Sequence, residues 1–219
     1  MSHRHQSSPT APPATSGKLI RWANYYDPLV NLFTLGRRRK LRQATVNLAR
    51  LQPGASVLEV GCGTGDVALV ARAQVGARGA VFGIDPAPEM IAVARRKAAE
   101  AGLAVDFQVG VIEALTFADH SFDVVFSSLM MHHLPAEVKQ RGLAEIARVL
   151  KPGGVLLIVD MKQAISHRER LIKTVMLHGA LGKGVQQLPP LLQNAGFRQI
   201  ETGETGVRMV GYVRAHTPA

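Results

Sequence analysis

The sequence predicts an α/β protein whose doubly wound, mostly parallel β-sheet is covered by helices on both faces. Short runs at residues 57–60, 80–84 and 155–159 are apolar at nearly every position, and helix-like stretches separate them. Strands of this kind are typical of parallel sheets, because both faces of such a sheet are buried. A glycine-rich loop follows the first run and an acid ends the second, which indicates a ligand site at the carboxyl edge of the sheet.

The other elements follow in chain order. Lys151-Pro-Gly-Gly is predicted to end a helix and to turn the chain into the run at 155–159. A short helix at residues 186–195 is predicted to end at Gly196. Further strands are predicted at residues 105–109, 122–127, 197–204 and 207–214.

The loop at residues 61–65 reads Gly-Cys-Gly-Thr-Gly and is followed by Asp66. Glycines let the backbone take positive φ angles and approach a ligand without an intervening Cβ. Loops that bind a pyrophosphate or phosphate instead read Gly-x-Gly-x-x-Gly or end in Gly-Lys-Ser/Thr. Here no lysine follows, Asp66 would repel a phosphate, and Glu59 suits a ligand with a positive group. The alternative is an ordinary strand-to-helix turn.

Asp85 lies twenty residues after Gly65, at the end of the second apolar run. This spacing accommodates one helix and a return strand, which places the carboxylate at the edge of the neighbouring parallel strand. There it can accept hydrogen bonds from both hydroxyls of a ribose. Pro86 and Pro88 then open a helix, and a role of Asp85 as its N-cap is compatible with ribose binding.

Five motifs in this order resemble those of the class I S-adenosylmethionine (SAM) dependent methyltransferases, over roughly residues 20–215. They are the glycine loop with Glu59, and the segments at residues 83–98, 122–134, 150–158 and 191–197. The resemblance implies a Rossmann-like, seven-stranded sheet with a C-terminal antiparallel hairpin. It also implies SAM as cofactor, S-adenosylhomocysteine as product, and no metal. The residues that it assigns to the cofactor are Glu59, Gly61, Cys62, Gly63, Thr64, Gly65, Asp85, Pro86, Met90, Val111, Ile112, Glu113, Ser127 and Leu129.

Val111 departs from the family pattern. Many relatives carry Gly-Asp-Ala-Glu after the third strand, with the aspartate accepting a hydrogen bond from the adenine amino group, whereas residues 110–113 read Gly-Val-Ile-Glu. A valine cannot accept that bond, so we expect apolar contact and the Ile112 backbone to hold the adenine. The loss of one neutral hydrogen bond costs about 0.5–1.5 kcal/mol. A shift in register that brings Glu113 to the adenine is the alternative.

The sequence predicts three parts in the chain. Residues 1–17 contain no acid and are expected to form a disordered tail, and residues 18–50 a helical lid or substrate segment. The methyltransferase domain is expected at 51–219, with residues 161–185 as an insertion that caps the substrate. The stretch Trp-Ala-Asn-Tyr-Tyr-Asp at 22–27 resembles the lead-in of quinone-biosynthesis methyltransferases and of bacterial phosphatidylethanolamine N-methyltransferases. The resemblance implies a lipophilic acceptor, with Tyr25 and Tyr26 as lid residues.

Charge is distributed unevenly along the chain, whose formal net charge is +10. Residues 1–56 hold nine Lys/Arg and one acid, whereas residues 57–163 hold ten Lys/Arg and twelve acids. Apolar residues beside the basic cluster at 37–40 suit contact with an anionic membrane, and the alternative is a helix packed on the sheet with a solvated basic face. The single cysteine, Cys62, allows no disulfide or cysteine zinc site within one chain and suits a reducing cytoplasm.

Two function classes compete with a small-molecule methyltransferase. The calculated pI near 10.4 would suit an RNA or DNA methyltransferase. However, residues 127–133 lack the Asn/Asp-Pro-Pro-Tyr/Phe type of motif that base-modifying relatives carry, and aromatic residues make up only 5% of the chain, so nucleic acid is disfavoured as a partner. The other alternative is a non-catalytic SAM-binding module.

His132 and His133 are the candidates for a catalytic base. They follow the predicted fourth strand, and imidazole titrates near neutral pH. His132 is also a candidate for contact with the substrate. The alternative for both residues is a structural role, with the ring packed in the protein and hydrogen-bonded to the backbone.

Overall fold

The computed structural model describes residues 15, 28, 31, 36–163 and 184–219 of the protein. In this part of the chain, seven strands form one sheet. They are β1 Ser56–Val60, β2 Ala80–Asp85, β3 Asp106–Val109, β4 Phe122–Ser128, β5 Leu150–Met161, β6 Arg198–Glu204 and β7 Val210–His216.

The strands lie in the order β3-β2-β1-β4-β5-β7-β6. The first five strands in this order run parallel to one another. β7 is antiparallel to both β5 and β6. The predicted doubly wound sheet with a C-terminal antiparallel hairpin is therefore confirmed.

Helices cover both faces of the sheet. One face packs against α1, α2 and α3, and the other against α4 and α5. The side chains of a strand point alternately to the two sides, so Val57 belongs to the first core and Leu58 to the second. The helices are α1 Arg38–Ala49, α2 Asp66–Val75, α3 Pro88–Glu100, α4 Ala136–Val149 and α5 Leu188–Asn194, with 3-10 turns at Met131–His133 and Val185–Gln187.

The segment Lys151-Pro-Gly-Gly differs from its prediction, because it belongs to β5 rather than forming a separate turn. Phe122 pairs with Leu150 and Val124 with Val155, so β5 bulges by three residues against β4. Backbone hydrogen bonds hold the bulge to the C-terminal residues, with Gly153 N–H donating to Pro218 and Thr217 N–H donating to Gly154. A local pattern does not reveal partners that are more than sixty residues away.

Helix α1 begins within the predicted basic segment, and its apolar side is not free for a membrane. Leu41, Val46 and Ala49 are buried in the first core. Exposed basic residues lie on the other side, as in the alternative of a helix packed on the sheet. The predicted tail apart from Thr15, about half of the predicted lid including Tyr25 and Tyr26, and most of the predicted cap lie outside the described residues. Among the described residues, no helix has the length and apolar character needed to cross a bilayer.

Candidate functional site

A cleft opens at the carboxyl ends of β1, β2 and β4. Helix α2 follows β1 on one face of the sheet and α4 follows β4 on the other, so the chain diverges at this point and leaves a crevice. The larger part of the cleft measures about 690 Å³ and the smaller about 460 Å³. Gly61 and Leu129 line both parts, so the two regions are adjacent.

The glycine loop is folded tightly against β2 and its surroundings. Gly61, Gly63 and Gly65 all have positive φ angles, of 71°, 52° and 81°. The amides of Gly61 and Cys62 both donate to the Ile84 carbonyl at 2.9 Å. A Cβ at Gly65 would lie 2.6 Å from Phe107 Cζ. The sequence therefore needs glycine here both for the backbone angle and for the close approach of the loop to its neighbours.

Asp85 faces the larger part of the cleft from the end of β2. Its Oδ2 accepts the Gly63 N–H and its Oδ1 accepts the Ala87 N–H, both at 3.0 Å. Burial raises the pKa of Asp85 to about 6, although these two hydrogen bonds act in the opposite direction. Each carboxylate oxygen has a further lone pair, so Asp85 can accept two hydroxyl donors from a ligand.

Glu59 lies at the smaller part of the cleft and is almost completely buried. Its Oε2 accepts the Ala68 N–H in the first turn of α2 at 2.8 Å. Burial raises the pKa of Glu59 well above its ordinary value, and the guanidinium of Arg42 acts in the opposite direction. A bound cation would offset the cost of ionising this carboxyl.

Asp66 is surrounded by three cations. It pairs with Arg42, with Arg38 at 3.5 Å and with Lys97 at 3.0 Å. These cations compensate the negative charge of Asp66. The carboxylate would therefore repel a phosphate less strongly than its place in the sequence suggested. Arg38 and Arg42 also line the smaller part of the cleft, so a carboxylate and guanidinium groups meet there. The i, i+4 spacing of these arginines on a helix would have indicated a shared face, but not its partner.

Apolar side chains line most of the larger part of the cleft. They include Ile84, Met90, Val111 and Ile112. Glu113 lines it too, and its Oε1 accepts the Thr15 hydroxyl at 2.5 Å. Its Oε2 is buried and has no hydrogen-bond partner among the described residues. Both predicted modes of holding an adenine, apolar contact and Glu113, therefore have their side chains at the cleft.

Comparison with known proteins agrees with this geometry. Residues 57–154 match the family model of a methyltransferase domain. The demethylmenaquinone methyltransferase of Listeria monocytogenes is 36% identical over 139 residues, which are 63% of this chain and 58% of that protein. The ubiquinone/menaquinone biosynthesis C-methyltransferase of Bordetella avium is 36% identical over 141 residues, or 63% and 53% of the two chains. The chain thus spans less than two thirds of the length of these curated relatives.

A solved structure shares the whole architecture. A SAM dependent methyltransferase from Aquifex aeolicus superimposes with a TM-score of 0.71 at 24% identity, covering 87% of this chain and 97% of the other. The chain therefore has the fold of this methyltransferase. At this level of identity the superposition establishes the fold alone, and the match to the methyltransferase family model covers residues 57–154, which are less than half of the chain.

Most of the residues predicted to bind the cofactor line the cleft. Gly65 and Ser127 do not line it: Gly65 packs against α3 and β3, and Ser128 lines the smaller part instead of Ser127. Adjacent strand residues point to opposite faces, so an error of one position moves a side chain out of the cleft. The predicted residues that line it are Glu59, Gly61, Cys62, Gly63, Thr64, Asp85, Pro86, Met90, Val111, Ile112, Glu113 and Leu129.

Cys62 lies at the smaller part of the cleft, but not as a reactive thiol. Burial raises the pKa of Cys62 well above its ordinary value, and the nearby Glu59 carboxyl raises it further. The thiol therefore stays neutral and acts as a small packing group. Within the described residues, no group of three or more His, Cys, Asp and Glu side chains could hold a metal ion.

The two candidate histidines occupy different positions beside the cleft. His133 lines the larger part, and His132 lies behind it with its ring centroid 3.9 Å away. His132 is hydrogen-bonded to Asp160, a residue that none of the sequence motifs indicated as part of the site. Asp160 directly follows the apolar run at residues 155–159, much as Glu59 and Asp85 follow mostly apolar residues. An acid at the end of a buried strand could therefore have indicated Asp160 as a site residue.

Proposed function

We propose that the protein is a SAM-dependent methyltransferase that transfers a methyl group to a small lipophilic acceptor. The observation that carries this proposal is a pair of carboxyls, the half-buried Asp85 and the buried Glu59, on either side of the glycine loop. They lie beside the crevice between β1 and β4, where the strand order of the sheet reverses. SAM has a ribose diol that suits Asp85 and an ammonium group that suits Glu59. The cofactor has no phosphate, in keeping with a loop without a lysine.

The two parts of the cleft suit the two ends of this cofactor. The larger part, with Asp85 beside Val111 and Ile112, offers hydroxyl acceptors and an apolar surface for an adenosine. The smaller part, with Glu59 and Arg42, offers opposite charges for the ammonium and carboxylate of an amino acid. The reactive sulfonium would then lie between them, near Gly61 and Leu129.

The cofactor supplies an already activated methyl group. The chain therefore contributes mainly by holding the acceptor in line with the methyl carbon and by excluding water. Such alignment can lower a barrier by roughly 7–11 kcal/mol. Leu129, Met130 and Leu134 present an apolar wall on the side of the cleft that follows β4, which suits a lipophilic acceptor.

We infer that the acceptor is a quinol ring of the type named for the two relatives in quinone biosynthesis. The charged and apolar walls of the cleft favour an amphipathic small molecule, and a phospholipid amine is the other lipophilic acceptor of this description. A labelled-SAM transfer assay against separated quinol, phospholipid and RNA fractions chooses among these classes. Calorimetry with SAM and S-adenosylhomocysteine tests the cofactor itself, and no heat of binding for either would refute the proposal.

Arg42→Met is expected to lower the affinity for SAM about tenfold or more. The substitution removes a guanidinium from the smaller part of the cleft while keeping an unbranched apolar stem. A charge-assisted hydrogen bond contributes about 1.5–3 kcal/mol. Calorimetry with SAM and with adenosine separates the ends of the cofactor, because adenosine lacks the amino acid. Equal losses for both ligands would contradict the assignment of Arg42 to the amino-acid end.

Peripheral contact with an anionic membrane is a further part of the proposal. Arg37, Arg39 and Lys40 are exposed at the start of α1, and each cation near an anionic surface contributes about 1 kcal/mol. Replacing all three with glutamine should therefore release the protein from vesicles that contain phosphatidylserine. Sedimentation with purely zwitterionic vesicles is the control, and equal binding to both kinds would remove the electrostatic explanation.

A further inference from the structure

We propose that Asp160 positions His132 as the general base of methyl transfer, and that the acceptor carries an acidic ring hydroxyl. The inference rests on the proposed methyltransferase function and specifies its acceptor chemistry. Asp160 lies near the end of β5 and is 2% exposed. His132 lies in the 3-10 turn that follows β4, the strand next to β5.

The Asp160 carboxylate holds both the backbone and the ring of His132. Oδ2 accepts the His132 backbone N–H at 2.9 Å, and Oδ1 bonds the His132 Nδ1 at 2.5 Å. Oδ1 also accepts the Met161 backbone N–H at 2.7 Å. Three contacts to one buried carboxylate fix the ring relative to the sheet, which is more than packing alone requires.

This arrangement determines which ring nitrogen carries the hydrogen. Backbone amides can only donate, so both Asp160 oxygens act as acceptors, and an ionised carboxylate has no hydrogen to give to Nδ1. Nδ1 therefore donates, and the neutral imidazole keeps its lone pair on Nε2. Nε2 is buried and has no hydrogen-bond partner among the described residues. A buried lone pair without a partner is uncommon and calls for an explanation, such as a donor supplied by a ligand.

The position of the pair suits the acceptor side of the cleft. The His132 ring packs against His133, which lines the larger part of the cleft with Met130 and Leu134. The pair thus lies beside the apolar wall, whereas Asp85 and Glu59 are assigned to the cofactor. A carboxylate that orients a histidine while its other nitrogen takes a proton is a recurrent catalytic arrangement.

The reaction then balances with one proton. The hydroxyl proton of the acceptor moves to His132 Nε2, and the resulting oxyanion pushes electron density onto the ring. The oxygen or a ring carbon forms the bond to the methyl group, the S–CH₃ bond breaks, and its electron pair stays on the sulfur. For attack by carbon, the hydrogen already present on that carbon then leaves as a proton and protonates the ring oxygen, which restores the aromatic ring. The products are the methylated acceptor, S-adenosylhomocysteine and an imidazolium paired with the Asp160 carboxylate.

The test combines turnover, cofactor binding and the histidine tautomer in the full chain. The acceptor probe is a 1,4-naphthoquinol with an unsubstituted ring position, assayed with labelled SAM. We expect His132→Gln to lower kcat about 10²–10⁴-fold and to remove the acid limb of the pH profile of kcat/KM. Asp160→Asn should lower kcat at least tenfold, and Asp160→Glu should restore part of it. The exposed Asp106→Asn is the matched control, with unchanged turnover.

Nitrogen-15 spectra of the imidazole groups report the tautomer without any acceptor. The wild type should show His132 with hydrogen on Nδ1, and Asp160→Asn should move hydrogen to Nε2. Hydrogen on Nε2 in the wild type, or full turnover by His132→Gln, would overturn the inference. A wild type that binds SAM but leaves the naphthoquinol unmethylated would overturn the acceptor class, whereas a failure to bind SAM would overturn the proposed function. If Asp160→Asn does not fold, His132→Gln still decides the result.

Discussion

Gly65→Ala is expected to lower the free energy of unfolding by about 2–5 kcal/mol. The residue has a φ of 81°, and an L side chain in this left-handed region costs roughly 1–2 kcal/mol. The new Cβ would lie 2.6 Å from Phe107 Cζ and 2.8 Å from Ala94 Cβ, and overpacking of this kind costs about 1–3 kcal/mol. Both neighbours are buried and belong to the core, so neither can move away cheaply. Urea denaturation followed by circular dichroism measures the loss.

Gly102→Ala is the matched control for this substitution. Gly102 also has a positive φ, of 63°, but a Cβ there would meet no atom within 4 Å. Only the backbone cost should therefore appear, about 1–2 kcal/mol. Similar losses in the two variants would show that the loop is not packed as tightly against β3 and α3 as described. A larger loss at Gly65 would attribute the difference to contact with Phe107 and Ala94.

The positions of the glycine loop and of Asp85 could be predicted because the sequence patterns that indicate them are local. A strand, a glycine loop and a helix follow one another at residues 56–75, and Asp85 ends the next strand at a spacing set by one helix. Each signal lies in a window of a few residues, where backbone preferences and the side-chain pattern agree. These windows are sufficient to predict that Asp85 and the loop glycines lie at the carboxyl edge of the sheet.

The contacts of His132 and Arg42 were less predictable because they join residues that are distant in the sequence. His132 and Asp160 are 28 positions apart, and they meet only because β4 and β5 are neighbours. Arg42 and Asp66 belong to different helices, so no local pattern pairs them. The bulge in β5 depends in the same way on Thr217 and Pro218. The residue types indicate which side chains can form such contacts, but only the three-dimensional structure shows which of them are in contact.

Asp85→Asn is expected to weaken SAM binding by about 1.5–3 kcal/mol, or roughly tenfold to more than a hundredfold, while it changes stability little. The carboxylate would no longer accept charge-assisted hydrogen bonds from the ribose diol. The stability of the wild type depends on the ionisation of Asp85, because burial raises the pKa of this carboxyl from 3.8 to about 6 in the folded protein. Stability is therefore lost as the pH rises from about 4 to about 6, by about 3 kcal/mol at most. The asparagine avoids this cost, which offsets the loss of an acceptor for one backbone N–H.

The same pKa predicts how the binding of SAM depends on pH. Below pH 6 the free carboxyl binds a proton that the ribose hydroxyls must displace, so affinity should fall by up to tenfold per pH unit. Above pH 6 this dependence should disappear. Calorimetry between pH 5 and 8, in buffers of different ionisation enthalpy, measures both the affinity and the protons released. In Asp85→Asn this component should be absent, whereas Asp106→Asn should retain it. If the asparagine variant keeps the wild-type dependence, the titrating group is another carboxyl, and the buried Glu59, whose pKa is also raised, would be the next to replace.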